Sequence, residues 1–302
     1  MNPATIALLA VLVLLIVGFA VFWVRREHAA GRWNETAARP GAVHLGVGFV
    51  TNFFDTLGIG SFAPTTSLFK LRRLVADEMI PGTLNVGHAI PTMVQGLIFI
   101  GVVQVGPLTL VSMIAAAVFG AWLGAGAVAA MPRRGIQIGM GVALLIAATL
   151  MVLMNAELLP SGGTALQLSG GKLAVAIVIN FALGALMTLG IGLYAPCLIL
   201  VSLLGMSPIA AFPIMMGSCA FLMPVAAARF VRAQKYDIRA ALGLTIAGLP
   251  AVLIAAFIVK SLPLVWLRWL VVAVAVYAAT LMLLSARRDT GELREARLRQ
   301  TG

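Results

Sequence analysis

The strongest constraint on this chain is a nine-residue stretch that occurs twice. Thr56-Leu57-Gly58-Ile59-Gly60-Ser61-Phe62-Ala63-Pro64 returns as Thr188-Leu189-Gly190-Ile191-Gly192-Leu193-Tyr194-Ala195-Pro196, with seven of nine positions identical at an offset of 132. The same offset carries Pro81 onto Pro213, and an offset of 131 carries Pro132 onto Pro263. The chain is therefore an internal duplication. Each copy sets two glycines and a proline inside a long apolar segment, where a continuous helix avoids all three. Function is expected at these breaks.

Composition decides where such a chain lives. Of 302 residues 61% are hydrophobic and only 10% charged, and the mean hydropathy is +1.05. No soluble core could hide that share of apolar residues, so the chain reads as a polytopic membrane protein. Its net charge of +11 is not taken as a nucleic-acid signal, because basic residues between apolar spans mark cytoplasmic loops. Cys197 and Cys219 lie in apolar segments with no metal-ligand or CxxC spacing, and read as packing residues.

An N-terminal transmembrane helix is predicted over 1–24. Arg25 and Arg26 follow it and no basic residue precedes it, which is the reverse of a cleaved signal peptide, so it is read as retained with its N-terminus outside. A cytoplasmic linker follows over 25–41, with Trp23 and Trp33 at the headgroup level. Repeat 1 occupies 42–154 and repeat 2 occupies 172–285, joined by an external linker over 155–171. A basic cytoplasmic tail covers 286–302. Each repeat holds one motif segment and three further spans, at about 81–103, 108–131 and 135–154, then 208–228, 240–259 and 264–284.

Charge argues for how the motif segments sit. If both re-enter on the side they left, 18 of the 21 Lys and Arg are cytoplasmic, leaving Lys172, Lys260 and Arg268 outside; if both cross fully, 14 are inside and 7 outside. The re-entrant arrangement fits better. Three true crossings per copy is an odd number, so the two copies are expected upside down relative to each other, their breaks meeting near the midplane. The expected fold is an all-α polytopic membrane protein of two inverted repeats, each a re-entrant or broken Gly-rich helix segment plus three transmembrane helices, with one extra N-terminal transmembrane helix. The competing reading is that the glycines only permit close helix packing.

Gly48-Phe49 with Leu57-Gly58-Ile59-Gly60, Gly82-Thr83, and Gly184 with Leu189-Gly190-Ile191-Gly192 resemble the TauE/SafE family of membrane transporters over roughly residues 42–285. The resemblance implies export of sulfite or movement of organosulfonates across the bacterial cytoplasmic (inner) membrane. Ser61 and Leu193 stand where that family often has a third glycine, and Asp55 where it commonly has a small or apolar residue.

The residues themselves suit an anion path. An unwound turn at Leu57–Gly60 leaves a half-helix starting near Ser61, whose free N–H groups face the midplane; Leu193 and Tyr194 would start the opposing one. The expected substrate-binding set is Thr56, Gly58, Gly60, Ser61, Thr65, Thr188, Gly190, Gly192 and Tyr194, with each hydroxyl alternatively bonded to its own helix carbonyl. Asp55 is the only acidic residue in an apolar segment, and is the proton-coupling candidate; the alternative is that it accepts backbone N–H bonds and fixes the turn, or lies in a wet vestibule. Asn52, Asn85, His88 and Gln95 are expected to line the cavity, and His44 and Asn180 to lie near its mouths. Trp266 and Trp269 mark the outer interface.

No metal or cofactor site is expected. Nor is a membrane-embedded enzyme, since no His-Glu-x-x-His, Gly-x-Ser-x-Gly or intramembrane aspartate pair occurs. An anion channel remains the alternative to a carrier. The expected partners are a small anion, the lipid bilayer and protons as coupling ion, with the oligomeric state left open.

Overall fold

A computed structural model describes residues 2–32, 39–129, 133–158, 163–187 and 192–300, and for 124–129, 133, 136, 264 and 288–300 the backbone only. Eleven α-helices are present among the described residues: α1 (Pro3–Ala29), α2 (Ala42–Thr56), α3 (Phe62–Arg72), α4 (Ile80–Val102), α5 (Pro107–Ala129), α6 (Arg133–Asn155), α7 (Gly170–Met187), α8 (Tyr194–Leu203), α9 (Ala211–Ala233), α10 (Ile238–Ser261) and α11 (Leu264–Gln300). Short 3-10 turns precede α4 and α9, at Asp77–Met79 and Pro208–Ala210. The element order from α2 to α6 thus repeats from α7 to α11.

Among the described residues seven stretches are long and apolar enough to cross a membrane: α1, α4 with the turn before it, most of α6, α7, α9 with its turn, α10, and α11 from Val265 to Arg287. The stretch Pro107–Leu123 of α5 is a shorter apolar helix. By contrast, α2, α3 and α8 have 15, 11 and 10 residues. At 1.5 Å per residue none of the three spans about 30 Å of hydrocarbon alone.

Helix ends differ from the expected ones in two places. α1 begins on Asn2, whose side-chain Oδ1 accepts the Ala4 N–H at 3.0 Å with Pro3 at the first position. It continues to Ala29, five residues beyond the boundary read from the first basic pair, because Arg25 and Arg26 are good helix formers and reach solvent without ending the turn. The tail read as a separate segment after 285 is helical to Gln300, continuous with α11.

α4 and α9 form the centre and run antiparallel. Gly82 near the start of α4 lies against Phe230 and the Lys235 carbonyl, Gly96 lies against Ala220, and the Phe99 ring stacks on Phe212 at 5.1 Å. α6 and α11 likewise meet start to end, Gly141 lying on Ala279 and Leu283. α2 packs on α10, with Gly48 against the Gly243 carbonyl, and α7 packs on α5, with Gly184 against Ala117. Small residues let these backbones approach. A main core cluster joins α1, α4, α5, α7, α8 and α9, and a smaller one around Val47, Phe69 and Leu84 lies beneath α3.

The two linker-side turns are tied to their neighbours. Ala165 bridges Met206, Ser207 N–H donates to the Ala165 carbonyl at 2.8 Å, and Gly106 N–H donates to the Leu166 carbonyl at 2.9 Å. At the other end, the Thr83 hydroxyl accepts the Asp237 N–H at 2.9 Å, joining the start of α4 to the α9–α10 turn. Trp23 does not face headgroups as expected: it is buried, and its Nε1–H donates to the Tyr236 hydroxyl at 2.9 Å. Trp33 lies outside the described residues. Trp266 and Trp269 are exposed.

Candidate functional site

The first Gly-x-Gly stretch breaks the helix by a definite backbone device. Ile59 N–H donates to the Phe54 carbonyl and Gly58 N–H to the Asp55 carbonyl, with Gly58 at φ +95°, which is the Schellman close of a helix. Gly60, at φ +88°, then turns the chain again. An L side chain resists both conformations, so glycine is required at both. Ser61 precedes the first turn of α3.

The restart leaves donors unused. Thr65 N–H is the first amide to fold back, onto the Ser61 carbonyl at 3.0 Å, and Ser61 N–H goes to the Asp55 carboxylate. The amides of Gly60, Phe62 and Ala63 have no acceptor among the described residues. Together with the helix dipole of α3 they make the break electropositive without a charged side chain. Indeed no Lys or Arg is buried among the described residues; the buried carboxylates and imidazole there are those of Glu27, Asp55 and His88.

Around the break lies a network drawn from both copies. The Asp55 carboxylate accepts the Gln95 Nε2–H at 2.8 Å and both the N–H and the hydroxyl of Ser61. Gln95 also donates to Thr56 Oγ1 at 2.9 Å and accepts from the Tyr194 hydroxyl at 3.1 Å. Since Tyr194 opens α8, Gln95 of α4 joins the first break to the half-helix of the second copy. Cys219, buried beside Tyr194, points its thiol at Met187 Sδ, 3.5 Å away. A second branch runs through His88: Nδ1 lies 3.0 Å from Asn52 Oδ1 and Nε2 lies 3.1 Å from Thr65 Oγ1.

Of the residues singled out from the sequence, the structure brings Asn52, Asp55, Thr56, Gly58, Gly60, Ser61, Thr65, His88, Gln95 and Tyr194 to this one region. Thr188 and Gly190 lie outside the described residues. Gly192 is exposed and has no heavy atom near its Cβ position. Asn85 is not in the network: its Nδ2 donates to the Pro81 carbonyl of its own helix at 2.8 Å. Asn180 is not at a mouth either, being fully buried with its Nδ2 on the Met113 carbonyl of α5 at 2.7 Å. His44 packs on Gly243 where α2 meets α10. The Thr56 hydroxyl donates to the Asn52 carbonyl of its own helix, and the Thr65 hydroxyl lies within reach of both the Ser61 carbonyl and His88 Nε2.

Sequence reasoning missed a second buried carboxylate. Glu27, at the end of α1, accepts from the Tyr236 hydroxyl and from Gln234 Nε2 and pairs with Arg32 Nε at 3.3 Å. The basic run around it made the stretch read as solvent-exposed linker, and only the Trp23 and Tyr236 aromatic pair hints at burial. Among the described residues no three His, Cys, Asp or Glu side chains gather as a metal site.

The arrangement is that of a helix broken beside a buried polar network, with three amides at the break that have no acceptor among the described residues. Residues 172–301 match the family of the sulfite exporter TauE/SafE. The match begins at the start of the second copy and covers it entirely. The TauE/SafE family is one of membrane transporters, not of enzymes. No curated protein and no solved structure matches the chain.

Proposed function

We propose that this protein is a secondary transporter of small sulfur-containing anions, sulfite or organosulfonates, and that it works as an exporter in the bacterial cytoplasmic membrane. The observation that carries the reading is the α2–α3 break, where three amides without acceptors, at Gly60, Phe62 and Ala63, face a site with no buried Lys or Arg. Backbone-led binding is weak enough to release its ligand, which a carrier needs. The TauE/SafE match of the second copy supplies the substrate class.

Alternating access is proposed to work around both Gly-x-Gly breaks, with the copies inverted. Two observations support this: the equivalent helices α4 and α9 run antiparallel, and α2 on α10 is repeated by α7 on α5. Irregular backbone at membrane depth is tolerated where it lines a cavity, as in inverted-repeat carriers. Thr56, Gly58, Gly60, Ser61, Thr65, Thr188, Gly190, Gly192 and Tyr194 form the proposed substrate-binding set. Asp55, the proton-coupling candidate among the carboxylates, is joined through Gln95 to Tyr194 of the other copy.

The test is flux of labelled sulfite in proteoliposomes, with and without an imposed pH gradient, competed by sulfonates. Saturable, gradient-dependent flux with counterflow is expected. Current far above carrier turnover would make the protein a channel, and no flux of any such anion would end the substrate assignment.

A further inference from the structure

The hydrogens around His88 can be counted from its neighbours. Asn52 Nδ2 donates to the Gly48 carbonyl at 2.8 Å and the Leu244 carbonyl at 3.2 Å, which fixes Oδ1 as the atom facing His88. An Oδ1 only accepts, so Nδ1 of His88 carries a proton in every state. At the other nitrogen the single Thr65 proton is claimed twice, by the Ser61 carbonyl at 2.7 Å and by His88 Nε2 at 3.1 Å. Both claims cannot be met at once. Neutral His88 draws the hydroxyl to Nε2, and the Ser61 carbonyl keeps only the Thr65 N–H. Protonated His88 donates from Nε2 to Thr65 Oγ1, and the hydroxyl turns to Ser61. The heavy atoms already stand where both states need them.

We infer that His88 takes up the proton that accompanies the anion, and that the Thr65 hydroxyl is the switch that reports this proton to the α2–α3 break. This rests on the transport reading above. Ser61, at the far end of the switch, is next to Gly60 and Phe62, two of the amides without acceptors. His88 is the one buried group in this network able to become a cation. A lone buried cation is destabilising, and so is a lone buried anion. Each offsets the other, so proton and anion bind together or neither does.

The surroundings contain few groups that would do this instead. From α2 the buried ionisable group is Asp55, whose carboxylate accepts from Gln95 and Ser61; from α8 it is Tyr194, and from α9 Cys219. The buried part of α10 offers only Thr245, donating to the Gly87 carbonyl. From α1 there is Glu27, held by Arg32 and Tyr236. From α3 the Phe62 ring lies 6.0 Å from the imidazole, within reach of a weak cation–π contact.

The experiment is proton uptake by the purified full chain in weakly buffered detergent, on addition of methanesulfonate, whose charge is fixed over the pH range used. Flux of the same anion in proteoliposomes is read in parallel. Wild type is expected to take up about one proton per bound anion. His88→Gln is expected to take up none and to lose gradient-driven accumulation. Thr65→Val, which keeps the side-chain shape but removes the oxygen that accepts from protonated His88, is also expected to abolish uptake on binding, and it decides the matter should His88→Gln not fold. Uptake that survives in both variants overturns the assignment and moves the proton to Asp55. Flux without proton uptake in wild type overturns coupling at His88 and leaves the transport reading standing, whereas absence of both binding and flux removes the two together.

Discussion

At Gly82 the start of α4 lies so close to the α9–α10 turn that a Cβ would stand 1.9 Å from the Lys235 carbonyl oxygen. Gly82→Ala must push the turn away, and with it the Asp237 N–H bonded to Thr83. A loss of about 1–3 kcal/mol is expected, as for other overpacked sites. Gly46→Ala, in the middle of α2 with no atom near its Cβ position, should instead be neutral or raise stability by up to about 1 kcal/mol. Melting temperatures of the two variants in one detergent check the contrast. Asp55→Asn keeps the volume of the side chain but replaces an acceptor by a donor facing Gln95 and Ser61. With the coupling proton on His88 and Asp55 fixing the turn, counterflow and dependence on a pH gradient should fall together; counterflow that persists while gradient dependence disappears would place the coupling on Asp55. The glycines of the first break were legible in the sequence because their φ values leave no other residue type a comfortable choice. The asparagines were less so. Asn52 bonds the Leu244 carbonyl and Asn180 the Met113 carbonyl, the same job in the two copies, yet Asn52 aligns with Gly184 and Asn180 with Gly48. The glycine and asparagine have exchanged places one helical turn apart, so comparison by identity sees two mismatches where the packing sees one repeated device.

At the scale of elements, α1 is the part that periodicity and charge described least well. Its span was evident from hydrophobicity, but its docking depends on a polar knot formed with residues some two hundred positions away. Trp23, Glu27 and Arg32 meet Gln234 and Tyr236 of the α9–α10 turn, and the Arg32 guanidinium lies 5.0 Å from the Tyr236 ring centre. Nothing local to residues 23–32 announces such partners. Tyr236→Phe leaves the Glu27 carboxylate and the Trp23 N–H each short of a partner, and should cost about 1–3 kcal/mol. Burial, and then the hydrogen bond to Glu27, push the Tyr236 phenol above its usual range. The folded protein therefore holds that proton more tightly than the unfolded chain does. This contribution is fully present below the unfolded phenol's value of about 10 and is lost as pH rises beyond it. The difference in melting temperature between wild type and Tyr236→Phe should be constant up to about pH 9 and shrink at higher pH.

For the whole molecule, the arrangement of the copies decides which loops share a side of the membrane. The turn after α8 is tied to the linker by the Ala165 and Met206 bridge, while the turn after α3 leads through Asp77–Met79 into the end of α4 that holds the α9–α10 turn. These two ends are opposite because α4 and α9 run antiparallel. With the N-terminus outside and re-entrant motif segments the Asp77–Met79 end is cytoplasmic and the linker external; with the whole bundle turned over both assignments reverse, and the basic residues Lys70, Arg72 and Arg73 fall outside. Glu78→Cys and Leu166→Cys, both at exposed positions, separate these cases, and the native Cys197 and Cys219 are buried and give little background. A membrane-impermeant maleimide applied to intact cells should label Leu166→Cys at once and Glu78→Cys only after permeabilisation. The reverse pattern would mean that the whole bundle sits the other way up, because the Ala165–Met206 bridge and the Thr83–Asp237 bond hold the two ends of each motif segment on one side. In that case the two breaks would still approach from opposite ends, because α4 and α9 stay antiparallel, and alternating access would keep its moving parts while the faces from which the two motif segments enter exchange.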